Sequence, residues 1–378
     1  MSKNIIEPLS FLRSLISFPT VSDQSTADIT TFLCSHAEDL DFSIDVYPSN
    51  PQKSNIIAHI GPREGSLALS GHMDVVPVQG QNWSRDPFKM HIEGDKIYGR
   101  GSCDMKGFFA CAYTAISNTP RKKLKRGITL IWTHDEEVGC IGAQQLCHTL
   151  KQKQISIPHS VLIGEPTSLH IARMHGGHST LLLKIKGAPA HSSKPILGIS
   201  AIENAMKAIH CILDVQRVFQ QNPCPHHEMK GAHSLINVAK IEGGEAVNII
   251  PEHCSILLGI RPMPGHSFEK IYESIQAAIK KANLSAQYEW ELIQNAPPLL
   301  SPQNTALETL IANTIPESKS IGLPFATDGG CFAEMGAAPI ICGPGSINQA
   351  HKADEFISKK ELFSYTKHLH SMISKWCL

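Results

Sequence analysis

The sequence of 378 residues predicts an α/β fold into which a second domain is inserted. A chain of this length is too long for one ordinary core, which favours two domains. In the first part of the chain and near its end, short continuous apolar runs alternate with helical patterns, as is typical of a largely parallel sheet. The middle of the chain instead carries strands in which apolar and polar residues alternate. We therefore predict one domain over residues 1–176 and 290–378, and an inserted domain over residues 177–289.

The elements of the first domain are predicted in chain order from apolar periodicity and from the residues that bound each run. An amphipathic helix ends at Phe18-Pro19, and a second helix begins after Asp104. The strands are short runs of buried character, such as Leu67-Ala68-Leu69. The predicted helices are 5–16, 106–117, 139–150 and 359–376, and the predicted strands are 67–69, 128–133, 161–163 and 339–342.

The elements of the inserted domain follow the order β-α-β-β-α-β, which is that of a ferredoxin-like α+β unit. Its first strand alternates apolar and polar residues, and its second and third strands are joined through Gly243-Gly244. The predicted strands are 180–186, 235–241, 254–260 and 286–292, and the predicted helices are 199–219 and 267–282.

Composition argues against several classes of protein. The formal net charge is +0 and the basic clusters are short, so we expect no nucleic-acid partner. No apolar segment is long enough to span a bilayer, and the start of the chain lacks the apolar core of a signal peptide. The 11 cysteines include no Cys-x-x-Cys pair and lie mostly in apolar runs, which favours buried free thiols in a reducing compartment. We therefore expect a cytoplasmic protein that binds neither membrane nor nucleic acid.

Candidate metal ligands follow several of the predicted strands. The first is His72, which ends an apolar run and has Asp74 two residues further on. A ligating imidazole needs its second N–H held by an acceptor, and Asp74 suits that role. A surface turn is the alternative for this pair. Further candidates lie at the ends of predicted strands or in loops, namely Asp104, Glu137, Glu165 and His351.

These candidates can converge, because the carboxyl ends of parallel strands share one crevice. Asp104 could instead cap the helix that follows it, and the acids at 135–137 could lie in a solvated loop. Two histidines and three carboxylates are too many for one tetrahedral zinc with an open position. They suit two zinc ions that share one carboxylate, roughly 3.5–4 Å apart.

Four motifs together resemble the dizinc aminoacylase and carboxypeptidase family. They are Ser-Gly-His-Met-Asp-Val-Val-Pro at 70–77, Gly-Arg-Gly-Ser-Cys-Asp-Met-Lys-Gly at 99–107, Asp-Glu-Glu at 135–137 and Gly-Glu-Pro-Thr at 164–167. The resemblance covers nearly the whole chain, with the motifs in the family's order. Within the family, residues 164–169, 260–265 and 343–351 resemble the acetylornithine deacetylase branch most closely. The succinyl-diaminopimelate desuccinylases are a near branch with the same ligands.

The resemblance implies a dinuclear zinc centre, in which Co²⁺ could substitute for Zn²⁺. Asp104 would bridge the two ions. His72 and Glu165 would complete one site, and Glu137 and His351 would complete the other.

The resemblance also implies the catalytic residues. Asp74 would orient His72, and Glu136 would be the general acid/base that serves a zinc-bridged hydroxide. His191 would stabilise the developing oxyanion, delivered from the partner subunit of a homodimer that forms through the inserted domain. For His191, a surface turn is the alternative.

Substrate-binding residues are implied at Asn248, Arg261 and Thr327. Arginine binds carboxylates through two parallel hydrogen bonds, which suits an amino-acid substrate. An interdomain ion pair is the alternative for Arg261, and a turn before Pro251 is the alternative for Asn248.

The expected reaction is hydrolysis of an N-acyl amino acid, with N2-acetyl-L-ornithine as the expected substrate in arginine biosynthesis. Succinyl-diaminopimelate or a dipeptide would be an alternative substrate of the same chemistry. A binding protein without activity is the alternative from another class, and loss of Glu136 or of a ligand would mark it. All of these residues are present.

Overall fold

A computed structural model describes residues 6–378 of the chain. The chain forms two compact units. The first comprises the residues up to Met174 together with Ser301–Gly322 and Thr327–Leu378. The second comprises His175–Leu300 and Leu323–Ala326.

Helices and strands are interspersed along the chain. The helices are α1 (Pro8–Ile16), α2 (Ala27–Glu38), α3 (Lys106–Ser117), α4 (Ile141–Gln152), α5 (Ala201–Gln220), α6 (Phe268–Ala282), α7 (Ala306–Thr314), α8 (Gly329–Ala333) and α9 (Lys359–Cys377). The strands are β1 (Ser43–Asn50), β2 (Lys53–Ile60), β3 (Leu67–His72), β4 (His91–Glu93), β5 (Lys96–Tyr98), β6 (Ile128–Thr133), β7 (Ser160–Pro166), β8 (Ile171–His175), β9 (His178–Lys186), β10 (Leu235–Gly243), β11 (His253–Arg261), β12 (Gln287–Ala296), β13 (Leu299–Leu300), β14 (Ser320–Leu323), β15 (Ala338–Gly343) and β16 (Phe356–Ser358).

The central sheet of the first unit is parallel in its middle. Its strands run in the order β1-β2-β6-β3-β7-β15-β8, and the pairs β6–β3, β3–β7 and β7–β15 are parallel. Every residue of β3, β6 and β15 is buried, as expected for strands that helices cover on both faces. Helix α3 is buried along its whole length, which explains why its sequence is apolar on nearly all sides. The predicted largely parallel α/β sheet is confirmed.

Several elements of this unit were not predicted. Helix α2 and the antiparallel hairpin of β1 and β2 are among them. Strand β1 has little apolar signal because it is mostly exposed, whereas five residues of β2 are buried. The first predicted helix, 5–16, begins at Pro8 in the structure, where the Glu7 carboxylate accepts hydrogen bonds from the next turn. Its predicted first residue, Ile5, lies outside the described residues.

The second unit has the predicted ferredoxin-like arrangement. Its sheet order is β10-β11-β9-β12, and all three pairs are antiparallel. Alternate residues of β9 (Leu181, Leu183 and Ile185) are buried in a core with α5 and α6. Strand β12 continues past residue 289 to Ala296, because its pairing with β9 extends to His178.

Within residues 6–378, we find no helix that is long and apolar enough to cross a membrane. The cysteine thiols are free, and most are buried, as predicted.

A buried carboxylate holds the loop that carries Asp104. Glu355 Oε2 accepts hydrogen bonds from Arg100 Nη1 at 2.7 Å and from the Gly101 N–H at 3.0 Å. Its Oε1 accepts from the Cys103 N–H at 2.8 Å and the Asp104 N–H at 3.0 Å. Glu355 and Arg100 are each 1% exposed, so each charge depends on the other for compensation. These contacts determine the path of the loop.

Replacing Glu355 with Gln is expected to destabilise the protein strongly, because it leaves the Arg100 charge buried without a counter-charge. We expect the free energy of unfolding to fall by about 3–5 kcal/mol, measured by urea denaturation. Glu93→Gln is the control, since Glu93 pairs with Arg85 at 3.5 Å on the surface and its loss should cost less than about 1 kcal/mol. Equal shifts in the two variants would contradict this account of the loop.

Replacing Gly164 with Ala tests the packing of β7 on α3. A Cβ at Gly164 would lie 1.9 Å from the Phe108 ring, so either the strand or the helix must move. We expect a loss of about 1–3 kcal/mol in the free energy of unfolding. Gly259→Ala is the matched control in a strand of the second unit, because a Cβ there meets nothing within 4 Å. If both variants unfold at the wild-type urea concentration, the close approach of β7 and α3 is wrong.

Candidate metal centre and active site

The first unit brings the predicted ligands together at one end of its sheet. One ligand ends β3, one lies in the loop after β6, and one lies near the end of β7. The other two lie in the loop before α3 and the loop after β15. In chain order these ligands are His72, Asp104, Glu137, Glu165 and His351.

The two carboxylate oxygens of Asp104 face different histidines. Asp104 Oδ1 is 3.1 Å from His72 Nε2, and Asp104 Oδ2 is 3.3 Å from His351 Nε2. His351 Nε2 is also 2.9 Å from Glu137 Oε2, and His72 Nε2 is 3.6 Å from Glu165 Oε1. Two groups of donors therefore share Asp104. The alternative that Asp104 caps α3 is wrong, because the N-cap residue of this helix is Met105 and the Asp104 carboxylate faces the two histidines.

The donors fit divalent cations. Two donors on one tetrahedral zinc, each about 2.0–2.1 Å from the ion, lie about 3.3 Å apart, which is near the separations observed between these side chains. Glu137 Oε1 is buried and has no hydrogen-bond partner in the part of the chain that the structure describes, which is costly in the absence of a cation. Imidazole and carboxylate are donors that zinc accepts.

The carboxylates of the cluster repel one another. Burial and the charge of Glu165 raise the pKa of Glu136 well above its usual value. Burial and the charge of Asp104 raise the pKa of Glu137 to about 7, and the same causes raise the pKa of Glu165. Bound cations would relieve this repulsion.

The histidines respond in the opposite direction. Hydrogen bonds to Asp104 and Glu137 raise the pKa of His351 to about 10. Burial alone would lower the pKa of His72, but hydrogen bonds to Asp104 and Asp74 raise it well above its usual value. Without cations, protons on the imidazoles supply part of the charge that the carboxylates require.

Asp74 is a buried carboxylate that organises both His72 and the acidic loop. His72 Nδ1 lies 2.9 Å from the main-chain carbonyl oxygen of Asp74 and 3.6 Å from its Oδ1. The Asp74 carboxylate accepts hydrogen bonds from the Glu136 N–H at 3.0 Å, the Glu137 N–H at 3.2 Å and the Ser22 hydroxyl at 2.8 Å. Burial would raise the pKa of Asp74, but these bonds and His72 lower it.

The residues that support this loop from a distance were not predicted from the sequence. Ser22 bonds Asp74, as described above, and Lys53 Nζ lies 2.6 Å from Asp135 Oδ1. Lys53 Nζ also donates to the main-chain oxygen of Ser22. Glu355 was not predicted either. The sequence offered one clue to it, which is Arg100 within a glycine-rich motif. A buried guanidinium requires a carboxylate, so an acidic partner for Arg100 could have been expected.

Three further predicted site residues, His191, Asn248 and Arg261, are exposed residues of the second unit. The first two are neighbours, since the Ser192 N–H donates to the Asn248 carbonyl oxygen at 2.9 Å. His191 Nδ1 is 2.8 Å from Ser193 Oγ. Arg261 is the last residue of β11. Their roles toward a substrate stay predictions.

Thr327 lies in the first unit and is buried. Its hydroxyl oxygen accepts a hydrogen bond from the Gly329 N–H at 3.1 Å, at the start of α8. The hydroxyl therefore has a structural partner, and its predicted contact with substrate stays a prediction.

Comparisons with known proteins are consistent with this geometry. The model of peptidase family M20/M25/M40 matches residues 68–375. A relative described as acetylornithine deacetylase, from Buchnera aphidicola subsp. Acyrthosiphon pisum (strain Tuc7), is 31% identical over 391 residues and covers 100% of both chains.

Solved structures share the fold at lower identity. An M20 family metallo-carboxypeptidase from Sulfolobus solfataricus aligns with a TM-score of 0.76 at 18% identity, covering 98% of this chain and 99% of that chain. A dinuclear metal-binding M20 peptidase from Bacillus subtilis aligns with a TM-score of 0.66 at 16% identity, covering 97% of each. Because the family model spans most of the sequence and the curated relative spans all of it, the chain belongs to peptidase family M20/M25/M40.

Proposed function

We propose that the chain is a dizinc amidohydrolase that removes the acyl group from an N-acyl amino acid. The main observation behind this proposal is the position of Asp104. Its Oδ1 is 3.1 Å from His72 Nε2, and its Oδ2 is 3.3 Å from His351 Nε2. A carboxylate in this position is suited to bridging two ions. The proposed substrate is N2-acetyl-L-ornithine, supported by the name of the curated relative, and the proposed setting is arginine biosynthesis in the cytoplasm.

Asp104 would contribute one oxygen to each ion. His72 and Glu165 would complete one site, and Glu137 and His351 the other. When bound, two zinc ions would polarise the scissile carbonyl and lower the pKa of a water held between them. Co²⁺ accepts the same imidazole and carboxylate donors.

Glu136 is the proposed general acid/base. Its main chain is held by Asp74, and its carboxylate lies in a group with His72 and Glu165 whose donor atoms are within 4.8 Å of one another. Its neighbour Glu137 pairs instead with His351 at 2.9 Å. Glu136 takes a proton from the attacking water and returns it to the leaving amine.

The second unit would supply substrate contacts. Arg261 is exposed and would bind the α-carboxylate of the substrate through two parallel hydrogen bonds. Asn248 and Thr327 would contribute polar contacts. His191 would come from the partner subunit of a homodimer and donate a hydrogen bond to the developing oxyanion.

Deacylation assays across N2-acetylornithine, N-succinyl-diaminopimelate and a dipeptide test this function. With zinc or cobalt, we expect N2-acetylornithine to have the highest kcat/KM. Glu136→Gln should lower kcat by about a hundredfold or more, because it removes the proton acceptor while keeping the side-chain shape. Metal analysis should still find about two ions per chain, since Glu136 is not a proposed ligand.

Glu93→Gln is the control for this assay and should keep the wild-type rate, because Glu93 is a surface residue. A Glu136→Gln rate near that of wild type would contradict the role of Glu136. A preference for N-succinyl-diaminopimelate or the dipeptide would replace the proposed substrate, and hydrolysis of none of them would overturn the proposed function.

Complementation tests the dimer and His191. Glu136→Gln and His191→Ala chains, each inactive alone, are mixed under conditions that allow subunit exchange. One site of each mixed dimer would then combine an intact Glu136 with the partner's intact histidine, so we expect up to about a quarter of wild-type activity, given random mixing and one restored site per mixed dimer. Exchange is verified by mass spectrometry of differently tagged chains. If mixed dimers form and no activity returns, His191 does not act across the interface.

A further inference from the structure

Another group of possible metal donors lies beside Glu136. It consists of Glu136 itself, the Cys140 thiol and the Asp328 carboxylate. The Cys140 thiol donates a hydrogen bond to Glu136 Oε1, with sulfur and oxygen 3.6 Å apart, and one donor atom from each of the three residues lies within 4.8 Å of the other two. None of the three is a ligand in the proposed dinuclear centre.

Asp328 carries an oxygen that lacks a protein partner. Its side chain is 2% exposed, and its Oδ2 accepts a hydrogen bond from the Thr133 hydroxyl at 2.6 Å. Its Oδ1 is buried and makes no hydrogen bond with any of residues 6–378. Because a buried, unpaired carboxylate oxygen is costly, this atom indicates that a partner is missing.

The donors are also spaced as a metal requires. With zinc–sulfur and zinc–oxygen bonds of about 2.3 and 2.1 Å at a tetrahedral angle, sulfur and oxygen lie about 3.6 Å apart. The observed separation between Cys140 Sγ and Glu136 Oε1 is 3.6 Å. An ion would replace the thiol proton in this hydrogen bond without changing the sulfur–oxygen separation.

The backbone holds the same pair in place. The Cys140 N–H donates to the Glu136 carbonyl oxygen at 2.8 Å, which closes a tight turn immediately before α4. Cys140 has a left-handed backbone with φ of 56°. Asp328 immediately precedes α8, and α8 packs against α4. Two packed elements therefore preform the group.

We propose that Glu136, Cys140 and Asp328 form an additional metal site for a thiophilic divalent cation, such as Zn²⁺ in excess or Cd²⁺. On binding, the Cys140 thiol releases its proton to solvent as the metal–sulfur bond forms. The Glu136 carboxylate coordinates the bound cation and then cannot accept a proton from water. Excess zinc therefore inhibits the enzyme. The inhibition rests on the proposed function, whereas the site itself does not.

Cadmium provides a readout of the site that is independent of activity. The dinuclear centre offers only nitrogen and oxygen donors, so a thiolate-to-cadmium charge-transfer band in the ultraviolet reports a cysteine site. This holds even if Cd²⁺ replaces zinc in that centre. Holoenzyme loaded with two zinc ions per chain is titrated with Cd²⁺, and we expect one band that saturates at about one ion per chain.

Cys140→Ser should lose this band, while Cys147→Ser should keep it. Cys147 is the matched control, since it is another buried thiol and lies on α4. Asp328→Asn keeps the thiol and should weaken Cd²⁺ binding about tenfold, which tests the site should Cys140→Ser fail to fold. Absence of the band from wild type, or an unchanged band in Cys140→Ser, would overturn the site. Unchanged affinity in Asp328→Asn would remove Asp328 from it.

Zinc inhibition is measured in parallel, with each variant compared with its own rate at two ions per chain. We expect Cys140→Ser to require about tenfold more zinc than Cys147→Ser for the same inhibition. If the band depends on Cys140 but inhibition does not, the site exists without the inhibitory role. If the band is present and no acyl amino acid is hydrolysed, the proposed function fails while the site stands.

Discussion

Carboxylates crowd the carboxyl end of strands β3, β6 and β7, and the surrounding structure has to offset their desolvation and mutual repulsion. Burying a charge is costly unless hydrogen bonds or an opposite charge compensate it. In this unit the compensation comes in two forms. Some carboxylates accept hydrogen bonds from backbone N–H groups or pair with a cationic side chain, whereas others face histidines that offset the repulsion between neighbouring acids.

The first kind of carboxylate builds the site. Asp74 binds the main-chain N–H groups of Glu136 and Glu137, and Glu355 binds Arg100 and three N–H groups of the loop that carries Asp104. Both carboxylate oxygens of each of these acids accept hydrogen bonds, and these bonds hold the backbone of the loops in place. The second kind includes carboxylate oxygens that accept no hydrogen bond from the described residues, as Glu137 Oε1 illustrates. The same chemical group thus supports the backbone in one setting and is a proposed metal ligand in another, according to what surrounds it.

The two units carry different parts of the proposed chemistry. The proposed ligands and the proposed acid/base lie in the first unit of this M20-family chain. His191, Asn248 and Arg261, which would recognise substrate, are exposed residues of the second unit. Under the proposed roles, hydrolytic chemistry and substrate choice would reside in different units and would vary separately, and family membership would not by itself determine the substrate.

The sequence by itself determined three features: the alternation of strands and helices in the first unit, the β-α-β-β-α-β order of the inserted unit, and the five candidate ligands. Each of these depends on apolar periodicity or on short motifs, which are local patterns. It did not predict α2 or the β1–β2 hairpin, whose exposed strand has little apolar signal. Only the tertiary structure paired Glu355 with Arg100, Ser22 with Asp74 and Cys140 with Asp328. The two members of each pair lie far apart in the chain, and no periodic pattern in the sequence indicates which polar residue will meet which. The packing of the sheet and its loops decides these contacts.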